Sequence, residues 1–104
     1  MKDNLAEAKR FSELLDFYGR FLTPAQQQIM SDYYLCDLSL SEISENRTVS
    51  RSAVLDSIKT ASKKLLSYEE KLGLAKLFEE TKNKASKTQL QIIEELEGKI
   101  KNGI

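Results

Sequence analysis

Apolar residues recur at intervals of three and four along the first two thirds of the chain, which predicts amphipathic helices. The first stripe, widened by Leu14 and Phe21, is Ala8, Phe11, Leu15, Tyr18 and Leu22. The second, which should end near Cys36 and Asp37, is Ile29, Met30, Tyr33 and Tyr34. A short third helix from about Leu40 to Asn46 presents Leu40 and Ile43, and a fourth from Arg51 presents Val54, Ile58, Ala61 and Leu65. The pattern predicts four helices around a shared core.

Polar signatures mark where three of these helices begin. Thr23-Pro24-Ala25-Gln26 has a capping threonine, a proline at the first helical position and a glutamine that can close a capping box. Ser39 with Glu42 repeats the box, and Ser50 caps the next helix, with Val49 and Val54 as apolar anchors around the turn. Two helix starts so close together predict a helix-turn-helix, in which the second helix would enter a DNA groove.

The chain after Leu66 is strongly charged and has no proline. Ser67-Tyr-Glu-Glu70 predicts a new helix start, followed by apolar residues at helical spacing. We therefore predict a helix-turn-helix domain over residues 1–66 and a helical C-terminal extension over residues 67–104. The extension would pack on the domain or form a dimer contact. The residues expected to make this oligomerisation contact are Leu74, Leu77, Phe78, Ile93, Leu96 and Ile100.

Composition narrows the fold and the class of function. With 104 residues, 40% of them hydrophobic and 31% charged, one proline and four glycines, the chain should form a small all-α bundle. It contains no histidine, the commonest general base and metal ligand. Its clustered serines are explained as helix caps, and no glycine-rich phosphate loop or metal-ligand spacing is present. We expect no enzyme activity, no metal and no cofactor.

Cysteine usage and hydropathy indicate a cellular compartment. The single Cys36 cannot form an internal disulfide and is expected to be a small buried apolar residue. No apolar run approaches the length of a membrane span or follows a basic start as in a signal peptide. The sequence therefore predicts a cytoplasmic protein without membrane contact.

Charge limits what the predicted reading helix can bind. The 16 basic and 16 acidic residues cancel, so any attraction for phosphate must be local. The predicted nucleic-acid-binding residues on the outward face of the fourth helix are Arg51, Ser52, Asp56, Lys59 and Lys63. Three phosphate contacts give a salt slope of only about −3, so useful affinity would need a dimer or a partner. Asp56 could accept a hydrogen bond from a cytosine amino group, although the face could equally be a solvated surface.

Motif residues over roughly the first 80 positions carry a resemblance to a known family. They are Phe17-Tyr18, Leu22-Thr23-Pro24 with Gln26, Tyr33-Tyr34, Asp37, Ser39-Leu40, Glu42-Ile43, Val49-Ser50-Arg51, Ala53-Val54, Ile58-Lys59 and Tyr68-Glu69-Glu70-Lys71-Leu72. This pattern resembles the YlxM family of small cytoplasmic bacterial proteins. Their helix-turn-helix is similar to the promoter-reading one in the fourth conserved region of bacterial sigma factors. The resemblance implies a regulatory protein tied to the signal recognition particle, chiefly through gene neighbourhood.

Two functions follow from these observations. The first is a DNA-binding regulator that acts as a dimer. The alternative is an interaction module that contacts the signal recognition particle protein or its RNA without reading DNA sequence. Neutral overall charge and Asp56 favour the alternative, and an RNA would be held by shape and phosphate.

Several positions depart from the family pattern. Ser44 replaces an alanine between the two helices, and its hydroxyl is tolerable if it bonds back to its own helix. Arg47 replaces an apolar residue, and Thr48 replaces a glycine or asparagine and would be strained at positive φ. Leu55 and Thr60 replace an aromatic and a basic residue. These changes predict an altered turn and fewer contacts to DNA.

Overall fold

The computed structural model describes residues 5–103, in which all regular structure is helical. The six α-helices are α1 (Leu5–Tyr18), α2 (Pro24–Met30), α3 (Leu40–Arg47), α4 (Arg51–Leu72), α5 (Leu74–Lys84) and α6 (Lys87–Lys101). A 3₁₀ turn, Gly19–Phe21, follows α1, and a π-helical segment, Ser31–Leu35, continues α2. The predicted all-α fold is confirmed. The predicted domain begins with residues 1–4 and the predicted extension ends with residue 104, and these residues lie outside the described ones.

The predicted starts of α2, α3 and α4 are confirmed by hydrogen bonds. Thr23 and Gln26 form a reciprocal capping box (3.1 and 3.2 Å), as do Ser39 and Glu42 (2.9 and 3.1 Å). The Ser50 hydroxyl accepts from the N–H of Ala53 (3.0 Å). The backbone N–H of Ser39 also lowers the pKa of Glu42, because it stabilises the carboxylate. These local bonds satisfy N–H groups that a helix start leaves without partners.

Helix α4 lies at the centre of the domain and contacts α1, α2 and α3. Its predicted apolar stripe is confirmed, since Val54, Ile58, Ala61 and Leu65 are all buried. The residues that meet this stripe from the other helices include Leu14, Tyr18, Met30 and Ile43. Burial of each large apolar side chain contributes roughly 1.5–3 kcal/mol, so the core holds the helix-turn-helix at a fixed angle to α1 and α2.

The first helix is buried over a wider arc than one stripe predicts. Phe17 lies outside the expected stripe, yet only 3% of its surface is exposed, because α1 is covered by α4 on one side and by α5 and α6 on another. Phe21 was predicted to be buried but is 51% exposed. The α-helix ends at Tyr18, and the 3₁₀ turn gives Phe21 a different direction, in which its ring packs against Tyr68 (5.1 Å between centroids).

Three further residues are less buried than predicted. Cys36 is exposed, because it ends the π-helical segment, where its N–H donates to Ser31 (3.0 Å) and its side chain faces solvent. Val49 is exposed because it follows Thr48, which has left-handed backbone angles, and leaves the helical phase. Tyr33 is only half-buried, whereas the adjacent Tyr34 is buried.

Helix α4 continues through residues 66 and 67, the expected boundary between domain and extension. Ser67 lies inside this helix and does not cap a new one, because a capping residue must follow non-helical backbone. The helix ends at Leu72, and Gly73 adopts the left-handed conformation (φ 64°) that glycine tolerates without a steric cost. The division of function between the two parts stays a prediction.

Helices α5 and α6 form a hairpin that packs on α1. The rings of Phe17 and Phe78 stack with 5.8 Å between centroids, and Leu74, Ile93 and Ile100 also pack against the core. These tail residues, predicted to mediate oligomerisation, therefore contact their own chain. The start of α6 is a capping box between Ser86 and Gln89, which was not among the predicted helix starts although both residues stand at the required spacing in the sequence.

Charged side chains stabilise the α5–α6 hairpin and its contact with the end of α1. Glu97 is only 6% exposed, and its carboxylate accepts from Lys82 (2.9 and 3.1 Å) and pairs with Lys101 (3.5 Å). The Lys101 ammonium also lies 4.8 Å from the centroid of the Phe17 ring. Arg20 donates to the carbonyls of Ile100 (2.8 Å) and Lys101 (2.9 Å), which satisfies the end of α6.

Candidate nucleic-acid interface

The helix-turn-helix consists of α3, the three-residue turn 48–50, and α4. Thr48 ends α3 in the left-handed region (φ 56°, ψ 47°), so the steric cost expected for a threonine at positive φ applies here. Ser44 donates to the carbonyl of Ser41 (3.0 Å), so its hydroxyl is satisfied within α3 as expected. These two residues therefore shape the turn between α3 and α4.

Arg47 fixes the motif to the helix that precedes it. Its Nε and Nη2 atoms lie 2.8 and 2.7 Å from Oδ2 of Asp32, and its Nη1 donates to Gln28 (2.8 Å). The planar guanidinium suits such a fork of contacts, so a half-buried polar cluster holds α3 where related motifs use an apolar residue. The sequence marked Arg47 as unusual, but only the fold identifies its partners.

The five residues predicted to bind nucleic acid lie on exposed surface of α4: Arg51, Ser52, Asp56, Lys59 and Lys63. The buried stripe of α4 faces the core on the opposite side. Within residues 5–103, Arg51, Lys59 and Lys63 have no carboxylate within ion-pair distance. The arrangement presents these three cations and one carboxylate to solvent, which is a small surface for binding phosphate.

Comparison with known proteins supports this architecture. The family model described as "Putative helix-turn-helix protein, YlxM / p13 like" matches residues 5–102. The chain belongs to this YlxM family. The match covers nearly the whole chain, including α5 and α6, whereas the resemblance found in the sequence covered roughly the first 80 residues. The family match therefore extends over the segment that forms the C-terminal hairpin.

Relatives of the YlxM family from three bacterial genera are similar over most of the chain. A UPF0122 protein of Thermoanaerobacter sp. (strain X514) is 48% identical over 86 residues, which are 81% of this chain and 74% of that protein. One from Bacillus cereus (strain AH187) is 46% identical over 91 residues, 88% of this chain and 83% of the relative. One from Exiguobacterium sp. (strain ATCC BAA-1283 / AT1b) is 50% identical over 76 residues, 73% and 71% of the two chains.

Aromatic residues beside the exposed face of α4 were not predicted as part of a site. A groove of about 360 Å³ runs between α4, α1 and the π-helical segment, and its lining includes Tyr33, Leu55, Lys59 and Lys63. The adjacent tyrosines Tyr33 and Tyr34 are a sequence feature that could have indicated an aromatic site. Their position near Lys59, however, depends on how the π-helical segment packs against α4.

Two other features, a metal-binding cluster and a membrane-spanning helix, are absent from the described part of this YlxM-family chain. Between residues 5 and 103, no group of three or more acidic or cysteine side chains is placed to hold a metal ion. None of the helices in that range is both long and apolar enough to cross a membrane.

Proposed function

We propose that this protein is a DNA-binding regulator that acts through the exposed face of α4. The observation that carries the proposal is the presentation of Arg51, Lys59 and Lys63, without carboxylate partners among the described residues, on the second helix of a helix-turn-helix. A second helix in this position docks into the major groove in proteins that use the motif. Ser52 and Asp56 lie on the same face, where they would contact base edges. The activity is binding and not catalysis, and we place it in the cytoplasm.

The experiment is fluorescence anisotropy of the purified protein with a library of genomic duplex fragments across a range of salt concentrations. The double variant Arg51→Ala/Lys59→Ala should lower the affinity and reduce the salt slope by about 2, since each cation that leaves a phosphate removes about one unit. Lys76→Ala/Lys99→Ala is the matched control, because both lysines are exposed on the hairpin and the change of charge is the same. If the first pair stays folded and binds as the parent does, the assigned face is wrong.

Dimerisation would double the number of phosphate contacts, and the hairpin offers a surface for it. Leu77, Ile92 and Leu96 are 55%, 57% and 52% exposed, on the side of the hairpin away from the core. Leu77 and Ile92 line a shallow groove of about 520 Å³. Glu80 and Lys84 line this groove too, so a twofold-related copy can place its Glu80 against Lys84 and its Lys84 against Glu80. We therefore propose a homodimer through Leu77, Ile92 and Leu96, with Leu74, Phe78, Ile93 and Ile100 supporting the hairpin from within.

Light scattering tests this contact with point variants. Leu96→Glu should convert a dimer into a monomer, because a charge would be buried in the apolar contact. Leu5→Glu is the control, since Leu5 is exposed at the start of α1. Removal of residues after 66 would be a poor test, because it would interrupt α4 and take Phe78 out of the core. An unchanged mass for a folded Leu96→Glu protein would contradict the proposal.

A second candidate function is contact with the signal recognition particle protein or its RNA. It is favoured by the small number of cations on α4 and by Asp56, which repels phosphate on the same face. A pull-down at physiological salt separates the two functions. Recovery of discrete promoter fragments supports the DNA-binding regulator, whereas recovery of the particle's protein or RNA without specific DNA supports the interaction module.

A further inference from the structure

The groove beside α4 combines an aromatic wall with two lysines. The ring of Tyr33 meets the ring of Tyr34 edge to face, with 4.9 Å between centroids. The ring of Phe11 stacks on the Tyr34 ring, with 5.1 Å between centroids. Leu55, Lys59 and Lys63 lie on the α4 side of the same groove. Aromatic faces and cations side by side are the combination by which proteins hold unpaired nucleotides, with the base on a ring and the phosphate on a cation.

The size and the charge distribution of the groove limit what fits. Its volume of about 360 Å³ lies near the lower end of small-ligand pockets, which suits a single nucleotide better than a duplex. The carboxylate of Glu7 lines the groove from α1 and accepts a hydrogen bond from Tyr34 (3.1 Å). It fixes the Tyr34 ring and repels phosphate from that wall, so a phosphate would lie toward Lys59 and Lys63.

We propose that this groove binds one unpaired nucleotide of an RNA loop, with the base against Tyr33 and the adjacent phosphate on Lys59 and Lys63. Loops and bulges of RNA offer bases that are already free to leave the stack, whereas a base of duplex DNA must first be unstacked and unpaired. The site goes beyond the proposed duplex contact and shares only the two lysines with it. Arg51 belongs to the duplex contact alone and Tyr33 to the groove alone, so variants distinguish them.

The experiment is fluorescence anisotropy with a short labelled RNA of mixed sequence, the same RNA annealed to its complement, and a single-stranded DNA of the same sequence. The single-stranded RNA should bind more tightly than its duplex. Tyr33→Leu should weaken this binding about tenfold, because it removes the stacking surface, and Tyr33→Phe should retain it. Ser62→Leu, which places a larger side chain on the α4 wall and removes a hydroxyl that hydrogen-bonds Tyr34, should also weaken it.

Several results would overturn the proposal. Equal binding of single-stranded and duplex RNA, or unchanged RNA binding by folded Tyr33→Leu and Ser62→Leu proteins, would show that the groove holds no base. Tighter binding of the single-stranded DNA would overturn the assignment to RNA. Binding of duplex DNA provides the separate readout for the regulator proposed above, since it should respond to Arg51→Ala and not to Tyr33→Leu.

Discussion

The hydroxyl of Tyr18 donates a hydrogen bond to the carboxylate of Glu69 (2.5 Å) and accepts one from the N–H of Leu74 (3.0 Å). Glu69 also accepts from the N–H groups of Ala75 (3.1 Å) and Lys76 (3.0 Å). A residue of α1 and a residue of α4 together thus cap the start of α5, where the preceding glycine has no side chain to do so. The contact fixes the hairpin relative to the helix-turn-helix.

We expect Tyr18→Phe to lower the free energy of unfolding by about 1–2 kcal/mol. The variant keeps the ring but leaves the N–H of Leu74 without its acceptor in a half-buried position. Urea unfolding followed by circular dichroism measures the loss. Tyr68→Phe is the matched control, because the Tyr68 ring also packs in this region and its hydroxyl bonds none of the residues between 5 and 103. Equal losses would show that the hydrogen bond is not the cause.

Stability should fall in alkaline solution as buried tyrosines ionise. Burial, followed by the hydrogen bond to Glu69, raises the pKa of Tyr18 to about 12, and burial with the hydrogen bond to Glu7 raises the pKa of Tyr34. Tyrosines of the unfolded chain ionise at about 10. The folded state therefore holds these protons more tightly, and its advantage is complete below pH 10 and is lost as the pH rises through 12.

Urea unfolding of the parent and of Tyr18→Phe over this alkaline range isolates the contribution of Tyr18. The parent should lose stability more steeply, by about one proton in the linkage slope. Parallel pH profiles for the two proteins would contradict the raised pKa of Tyr18.

The ion pair between Lys82 of α5 and Glu97 of α6 should contribute more to the free energy of unfolding than a surface pair does. Among residues 5–103, Lys82→Met would leave the buried Glu97 with only its longer ion pair to Lys101, and we expect a loss of about 1–3 kcal/mol in the free energy of unfolding. Lys99→Met is the control, because the Lys99 to Glu95 pair is exposed and 4.0 Å long, and it should cost less than about 0.5 kcal/mol. Thermal or urea unfolding compares the two variants, and a similar small loss in both would mean that burial of Glu97 adds nothing.

The turn of the helix-turn-helix carries backbone strain at Thr48. We expect Thr48→Gly to raise stability by about 0.5–1 kcal/mol, because glycine adopts φ 56° without the clash that a β-branched residue makes. Thr60→Gly is the opposite control, since Thr60 is exposed in the right-handed helix α4 and glycine should cost roughly 0.5–1 kcal/mol there. A loss of stability in both variants would show that the Thr48 side chain has contacts worth more than the strain.

Helix starts and helix faces could be predicted from the sequence because they depend on residues a few positions apart. The predicted capping residues of α2, α3 and α4 are confirmed as Thr23, Ser39 and Ser50. The predicted buried stripe of α4 is confirmed too, and it includes Val54 and Leu65. The same periodicity predicts which face of α4 is exposed, and the structure places all five expected binding residues on exposed positions. Their binding of nucleic acid stays a prediction, because exposure and charge do not identify a ligand.

Contacts between distant parts of the chain were decided only by the tertiary structure. The sequence contains Arg47 and Asp32, Phe17 and Phe78, and the acidic Glu97, but periodicity gives only the face of one helix and not the helix that covers it. Packing of the hairpin on α1 buries Phe17 and Glu97, and packing of the π-helical segment on α4 places Tyr33 beside Lys59. The sequence therefore determined the helices and their apolar faces through local hydrogen bonds and spacing. The tertiary structure decided which faces meet, because burial depends on residues that are far apart along the chain.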